Sequence, residues 1–133
     1  MNSPSEDIKD ILEDEASLSL TFGTNLFVSR EPAEPDAVVT IFDTPGFSPD
    51  LTMNKNERYD RPSIQIRIRN NDFTDGYSLA DSIKEILHGK AHEIRNSTSY
   101  ESIKAASDIS LLDYDESNRV RLVITFDIQR KPI

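Results

Sequence analysis

Hydrophobic and polar positions alternate most strictly in two stretches of this chain. After Pro62, the run Ser63-Ile64-Gln65-Ile66-Arg67-Ile68-Arg69 places three isoleucines on one side and Gln65, Arg67 and Arg69 on the other, which is the period of a half-buried strand. Arg119 to Arg130 repeats the pattern over a longer span. There Val120, Leu122, Ile124, Phe126 and Ile128 point one way, and Arg121, Val123, Thr125, Asp127 and Gln129 the other. A helical period replaces this alternation in Phe73 to Leu87. Tyr77, Ala80, Ile83, Ile86 and Leu87 form one stripe, and Gly89 supplies a stop. A shorter helix is predicted at the start. Ser3 offers an N-cap, Pro4 the first helical position and Glu6 a capping-box acid, with Ile8, Ile11 and Leu12 on one face and an end near Ala16.

The remaining elements are read from β-branched density and turn residues. Residues 25–29 and 37–42 predict two strands, separated by a turn with two prolines at Glu31-Pro32-Ala33-Glu34-Pro35-Asp36. Asp43 to Arg61 is the longest irregular stretch. It is predicted as a long, mobile loop, though Phe47, Leu51, Met53 and Tyr59 are more apolar than a solvated linker needs. Residues 92–106 predict one or two weaker strands, and Ile109 to Tyr114 another before the turn Asp115-Glu116-Ser117-Asn118. The order predicts an α+β fold: a mixed, mostly antiparallel β-sheet with two main helices packed on one face. The 133 residues suit a single domain over 1–133.

Composition narrows the chemistry. The chain has no cysteine, which excludes disulfides, cysteine-based zinc sites and thiol nucleophiles. Its N-terminus is acidic and lacks the apolar core of a signal peptide, and no run approaches the roughly 18 apolar residues of a membrane span. A soluble protein made in the cytoplasm, with no membrane partner, is expected. A formal net charge of -9 repels nucleic acid at long range.

Each candidate motif has a plainer reading. Asp43-Thr44-Pro45-Gly46 is spelled like the metal-sensing loop of GTPases, but no Gly-Lys-Ser/Thr phosphate cradle occurs anywhere, so a Pro-Gly turn leaving a strand is expected. His88 and His92 have a metal-ligand spacing, but Gly89 interrupts them; capping of a helix C-terminus is expected instead. No carboxylate pair lies in an apolar, Gly-framed setting, and no Gly-x-Ser-x-Gly elbow exists. No catalytic residue, cofactor or metal ligand is therefore assigned, and an enzyme is not expected. What stands out is a polar strand face carrying Arg67 and Arg69 beside Arg119, Arg121 and Arg130. It is either an ordinary solvated sheet face or a subunit contact, since arginine is enriched at interfaces. With the apolar residues of the 43–61 stretch, the candidate subunit interface comprises Phe47, Leu51, Met53, Tyr59, Arg67, Arg69 and Arg121.

Several segments together resemble the core of the minor-capsid and tail-terminator (tail-completion) proteins of siphophages. They are Phe27-Val28-Ser29, Pro35 to Gly46, Tyr59 to Arg69, and Leu111 to Arg119 followed by the closing strand. The resemblance spans most of the chain and rests on structural rather than catalytic motifs. It implies a virion protein at the head–tail junction. Such a subunit assembles as a homohexameric ring that caps the tail tube, meets the major tail tube protein and the head connector or adaptor, and lets DNA pass only through its lumen. A head–tail adaptor or other minor capsid component is the nearest alternative. A small host ligand-binding domain or enzyme is the alternative from another class.

Overall fold

The structure is a computed structural model, and it describes residues 1–50 and 59–133. The two alternating runs become its central ladder, β3 (Tyr59–Asn70) and β7 (Val120–Pro132). These pair antiparallel, with Ile64 opposite Phe126, Ile66 opposite Ile124 and Ile68 opposite Leu122. Period-2 alternation thus stacks apolar side chains across strands on one face, and each pair adds to sheet stability. Among the described residues the sheet has seven strands. β2 (Val38–Asp50) pairs antiparallel with the outer edge of β3, and the short β1 (Leu26–Val28) lies parallel to β2. On the far edge of β7, β5 (Thr98–Ala105) covers its C-terminal half and β6 (Ser110–Tyr114) its N-terminal half; β4 (Glu93–Arg95) borders β5.

Both helices, α1 (Pro4–Asp14) and α2 (Phe73–Leu87), pack on the isoleucine face. Ile8, Ile11 and Leu12 of α1 and Ala80, Ile83 and Leu87 of α2 join Val39, Ile41, Ile64, Ile66, Ile68, Leu122, Ile124 and Phe126 in one core. Fully burying each such side chain contributes about 1.5–3 kcal/mol. The α+β reading, with its mostly antiparallel sheet and two helices, therefore holds. Gly89, at φ +87°, follows the helix end as expected. Tyr77 departs from its predicted place in the apolar stripe. It is exposed and stacks on Phe73 with ring centroids 6.0 Å apart, while Gly76 takes the buried position.

Three expectations are corrected. Residues 43–50 and 59–61, read as irregular loop, are strand: Asp43 pairs with Ile64, Thr44 with Ser63, Phe47 with Arg61 and Asp50 with Tyr59. Turn-forming Pro45-Gly46 marks a register shift inside the pairing instead of ending it. A Cβ at Gly46 would sit 2.2 Å from the Arg61 carbonyl oxygen, so the missing side chain lets the two backbones approach. Second, the 31–36 segment, read as a turn between two strands, is a connection between parallel ones. Since β1 and β2 are parallel, it carries the chain back along the sheet. Third, Arg130 shares the face of Ile128, under α1, so it is not part of the polar arginine face; one Nη donates to the Asn2 carbonyl oxygen at 2.8 Å.

Candidate assembly surfaces

The polar face of the β3–β7 ladder is built around the 31–36 segment. Arg69 stands opposite Arg121 in register. Like charges so placed repel unless an anion lies between them, and Glu31 Oε1 is that anion, accepting from Arg69 Nη1 at 3.1 Å and Arg121 Nη1 at 3.3 Å. Arg69 also donates to the carbonyl oxygens of Pro32 (2.6 Å), Pro35 (2.6 Å) and Asp36 (3.3 Å). Arg119 donates to the Ala33 carbonyl at 2.7 Å, to Asp36 Oδ1 at 3.1 Å and to Asp115 Oδ2 at 2.7 Å. Arg121 grips Asp113 bidentately, at 2.6 and 2.5 Å. A rigid guanidinium fork suits this work, because it satisfies several loop carbonyls that a strand-free segment leaves unpaired.

The carboxylates feel this cationic frame. Arg121 holds Asp113 below the ordinary carboxylate range. A hydrogen bond from Asn71, then one from Arg119, lowers Asp36. Burial works to raise Asp115, but hydrogen bonds from the Arg119 backbone and side chain outweigh it and leave its pKa lowered. The surroundings form an open depression of about 510 Å³ lined by Glu31, Arg69, Tyr114, Asp115, Arg119 and Arg121, among others. Its three arginines are matched by Glu31 and Asp115, while Glu116 has no ion-pair partner among the described residues.

The predicted interface residues therefore separate into two groups. Arg69 is 3% exposed and bound to its own loop, and Arg121 is tied to Asp113 and Glu31. Arg67 lies half-buried with its guanidinium 4.7 Å from the centre of the Phe42 ring, and donates to Gln65 Oε1 at 2.8 Å. These arginines position the fold's own loop and strand face. Phe47 and Tyr59 lie far from them, on the outer part of the β2–β3 hairpin. Phe47 is 67% exposed, and Tyr59 is half-buried with the Lys131 ammonium 5.7 Å from its ring centre. Leu51 and Met53 lie outside the described residues. At the root of this arm, Phe47 and Arg61 line a groove of about 350 Å³ with Ser102, Lys104, Asp127 and Gln129.

The other motifs resolve structurally. Asp43 caps α1 from the neighbouring strand, accepting from the Ser5 backbone N–H at 3.0 Å and its hydroxyl at 2.7 Å. Ser3 occupies the N-cap position but makes no capping bond. His88 sits at the C-cap of α2, and its Nδ1 accepts from the Ala105 N–H at 2.9 Å. His92 is exposed, with Nδ1 3.0 Å from a Glu101 carboxylate oxygen, so the two histidines do not converge. Among the described residues no group of three or more His, Cys, Asp or Glu side chains could hold a metal ion. No helix in the described residues is long and apolar enough to cross a membrane.

Sequence reasoning missed the strip along β6. Leu111, Leu112 and Tyr114 are 51%, 40% and 56% exposed on a strand that, among the described residues, pairs with β7 alone. The run Ile109-Ser110-Leu111-Leu112-Asp113-Tyr114 signals a strand, but not that it forms an edge.

The fold has a counterpart in a solved structure, "Virion of native gene transfer agent (GTA) particle". One of its chains superposes with a TM-score of 0.67 at 12% identity, over 96% of this chain and 93% of that one. No curated protein matches in sequence. The family profile described as bacteriophage tail terminator protein matches residues 9–132, nearly the whole chain. A structural part with internally neutralised arginines fits that description, and the chain belongs to the bacteriophage tail terminator family, whose members are structural proteins of the phage tail.

Proposed function

We propose that this protein acts as a ring on the end of the tail tube, stopping tube growth and offering a docking surface to the head connector. The observation that carries the reading is the tail-terminator match over residues 9–132. The molecule's own features support it. The outer hairpin and the β6 edge expose apolar side chains that a monomer in water has no use for. A hexameric ring of copies each carrying a formal -9 makes a wall from which the DNA phosphate backbone is repelled, so DNA passes through without sticking. The residues nearest the lumen need no base-reading chemistry.

The test is to add purified protein to growing tail tubes and image them. Tubes of uniform length ending in a ring are expected, and tubes of uncontrolled length when the gene is deleted. Protein that stays monomeric by mass in the presence of tubes and never caps them would overturn the reading. Heads that leak DNA, with tails of normal length, would assign the protein to a head–tail adaptor role instead.

A further inference from the structure

Five of the ten exposed large hydrophobic side chains among the described residues belong to two neighbouring elements: Phe73 and Tyr77 of α2, and Leu111, Leu112 and Tyr114 of β6. Three contacts fix how these elements lie. His88, at the end of α2, accepts from the Ala105 N–H; the Lys84 ammonium lies 3.0 Å from Asp108; and Gly76 sits against Leu122, the residue opposite Leu111. The helix therefore runs antiparallel beside residues 105–114, and its Phe73–Tyr77 pair stands level with β6. The edge of β6 is open as well. Among the described residues no backbone hydrogen bond ties residues 110–114 to any element besides β7, and Leu112, at the register shift, has no partner residue there. An open edge offers N–H and C=O groups to which an added strand can bond.

Charge selects the occupant. The cations on α2 and around the β6–β7 turn are each held by an acid: Lys84 by Asp108, Arg119 by Asp115 and Arg121 by Asp113. Exposed acids are left over. Asp81, four residues from Tyr77 and so on the same helix flank, has no ion-pair partner among the described residues, and neither do Asp75 and Glu116. We propose that this acid-rimmed apolar strip receives an extended segment of a different virion protein, one whose apolar side chains alternate with lysine or arginine, added as a strand along β6. The proposal names a surface for the docking step of the ring reading and rests on that reading. A second copy of this chain, at a formal -9, brings like charge to the rim, and nucleic acid is repelled in the same way. A basic partner gains on both counts: main-chain bonds along β6 supply affinity, while apolar and cationic side chains in alternation fit the strip and its rim.

The test places the photo-crosslinking residue benzoylphenylalanine at Leu112 of the full chain, assembles particles, irradiates them and sequences the crosslinked peptides by mass spectrometry. Tyr114, an exposed aromatic position, serves as a second site should Leu112 disturb folding. Crosslinks to one segment of another virion protein, apolar with interspersed Lys or Arg, are expected from both sites and not from Ile94 on β4. Asp81→Lys combined with Glu116→Lys should lower the yield about tenfold, whereas Asp81→Glu with Glu116→Asp should keep it. Crosslinks between copies of this chain, a captured segment without basic residues, or no crosslink in particles that contain the protein would overturn this surface and leave the ring intact. Particles that assemble with tails of normal length and lack the protein would overturn the ring reading and this surface with it.

Discussion

Single side chains in this protein mostly repair what the backbone leaves open. Asp43 supplies the α1 cap that Ser3 does not, so Asp43→Ala should lower unfolding free energy by about 1 kcal/mol, read from a urea midpoint shift at unchanged slope. Arg69 does more, because the half-buried Glu31 and three loop carbonyls depend on this buried guanidinium. Arg69→Ala should cost about 3–5 kcal/mol, the usual penalty for breaking a buried pair, and Arg69→Lys should recover only part of it because an ammonium lacks the planar fork. The carboxylates of Asp36, Asp113 and Asp115 are all lowered in the folded state. Their contribution is present above the unfolded value of about 3.9 and disappears as pH falls through the lower folded values. An acid titration of stability should therefore show a falling limb below about pH 4 that Asp113→Asn makes shallower. Tyr100 works in the opposite direction. Burial, then its hydrogen bond to Asp7, raises the phenol well above its usual value, so one tyrosine of the four should ionise late in an alkaline absorbance titration.

At the scale of elements, two strands are decided by where they are broken. β5 and β6 both run antiparallel to β7 along the same edge, with residues 106–109 between them. The break is pinned by Lys84 of α2, whose ammonium lies 3.0 Å from Asp108, and by the Ala106 N–H donating to the Thr125 carbonyl at 2.8 Å. Past this break β6 has no strand on its outer side among the described residues, and its leucines are exposed. The β2–β3 arm depends on a second irregularity, at Gly46. Gly46→Ala would force a Cβ against the Arg61 backbone. Faster amide exchange in residues 43–50, with core amides protected as before, is the expected outcome by hydrogen-exchange mass spectrometry. Pro45-Gly46 was legible as a break in periodicity but not as a bulge. The same dipeptide ends a strand or bends one, depending on whether a partner strand lies alongside.

Across the molecule, exposed apolar side chains concentrate at the ends of the β3–β7 ladder, where Asp50 pairs with Arg61 and Asp113 with Arg121, while Asp75 beside Phe73 and Tyr77 and Glu116 beside Tyr114 have no ion-pair partner among the described residues. On the proposed ring reading, copies that each carry a formal -9 assemble against net repulsion through apolar contact. Raising ionic strength from about 0.05 to about 0.5 M should therefore shift sedimenting mass toward the ring, because the Debye length shrinks severalfold. Dissociation at high salt would instead point to an interface held by ion pairs.

The sequence by itself determined the core. Strict alternation in Ser63 to Arg69 and Val120 to Gln129, and the 3.6-residue stripe of Ala80, Ile83 and Leu87, leave one way to hide the isoleucines, so strand type, helix type and the buried face follow from local pattern. The resemblance to tail terminators was likewise carried by local segments. The tertiary structure decided everything that depends on a neighbour distant in sequence. Arg69 reads as a surface residue on a polar strand face until the 31–36 segment folds over it. Residues 43–50 read as loop until β3 pairs with them. Leu112 reads as an ordinary strand residue until β6 proves to have a partner on one side only. Hydrophobic periodicity records which face of an element is buried, but it carries no information about which strand lies beside it or which edge is left open.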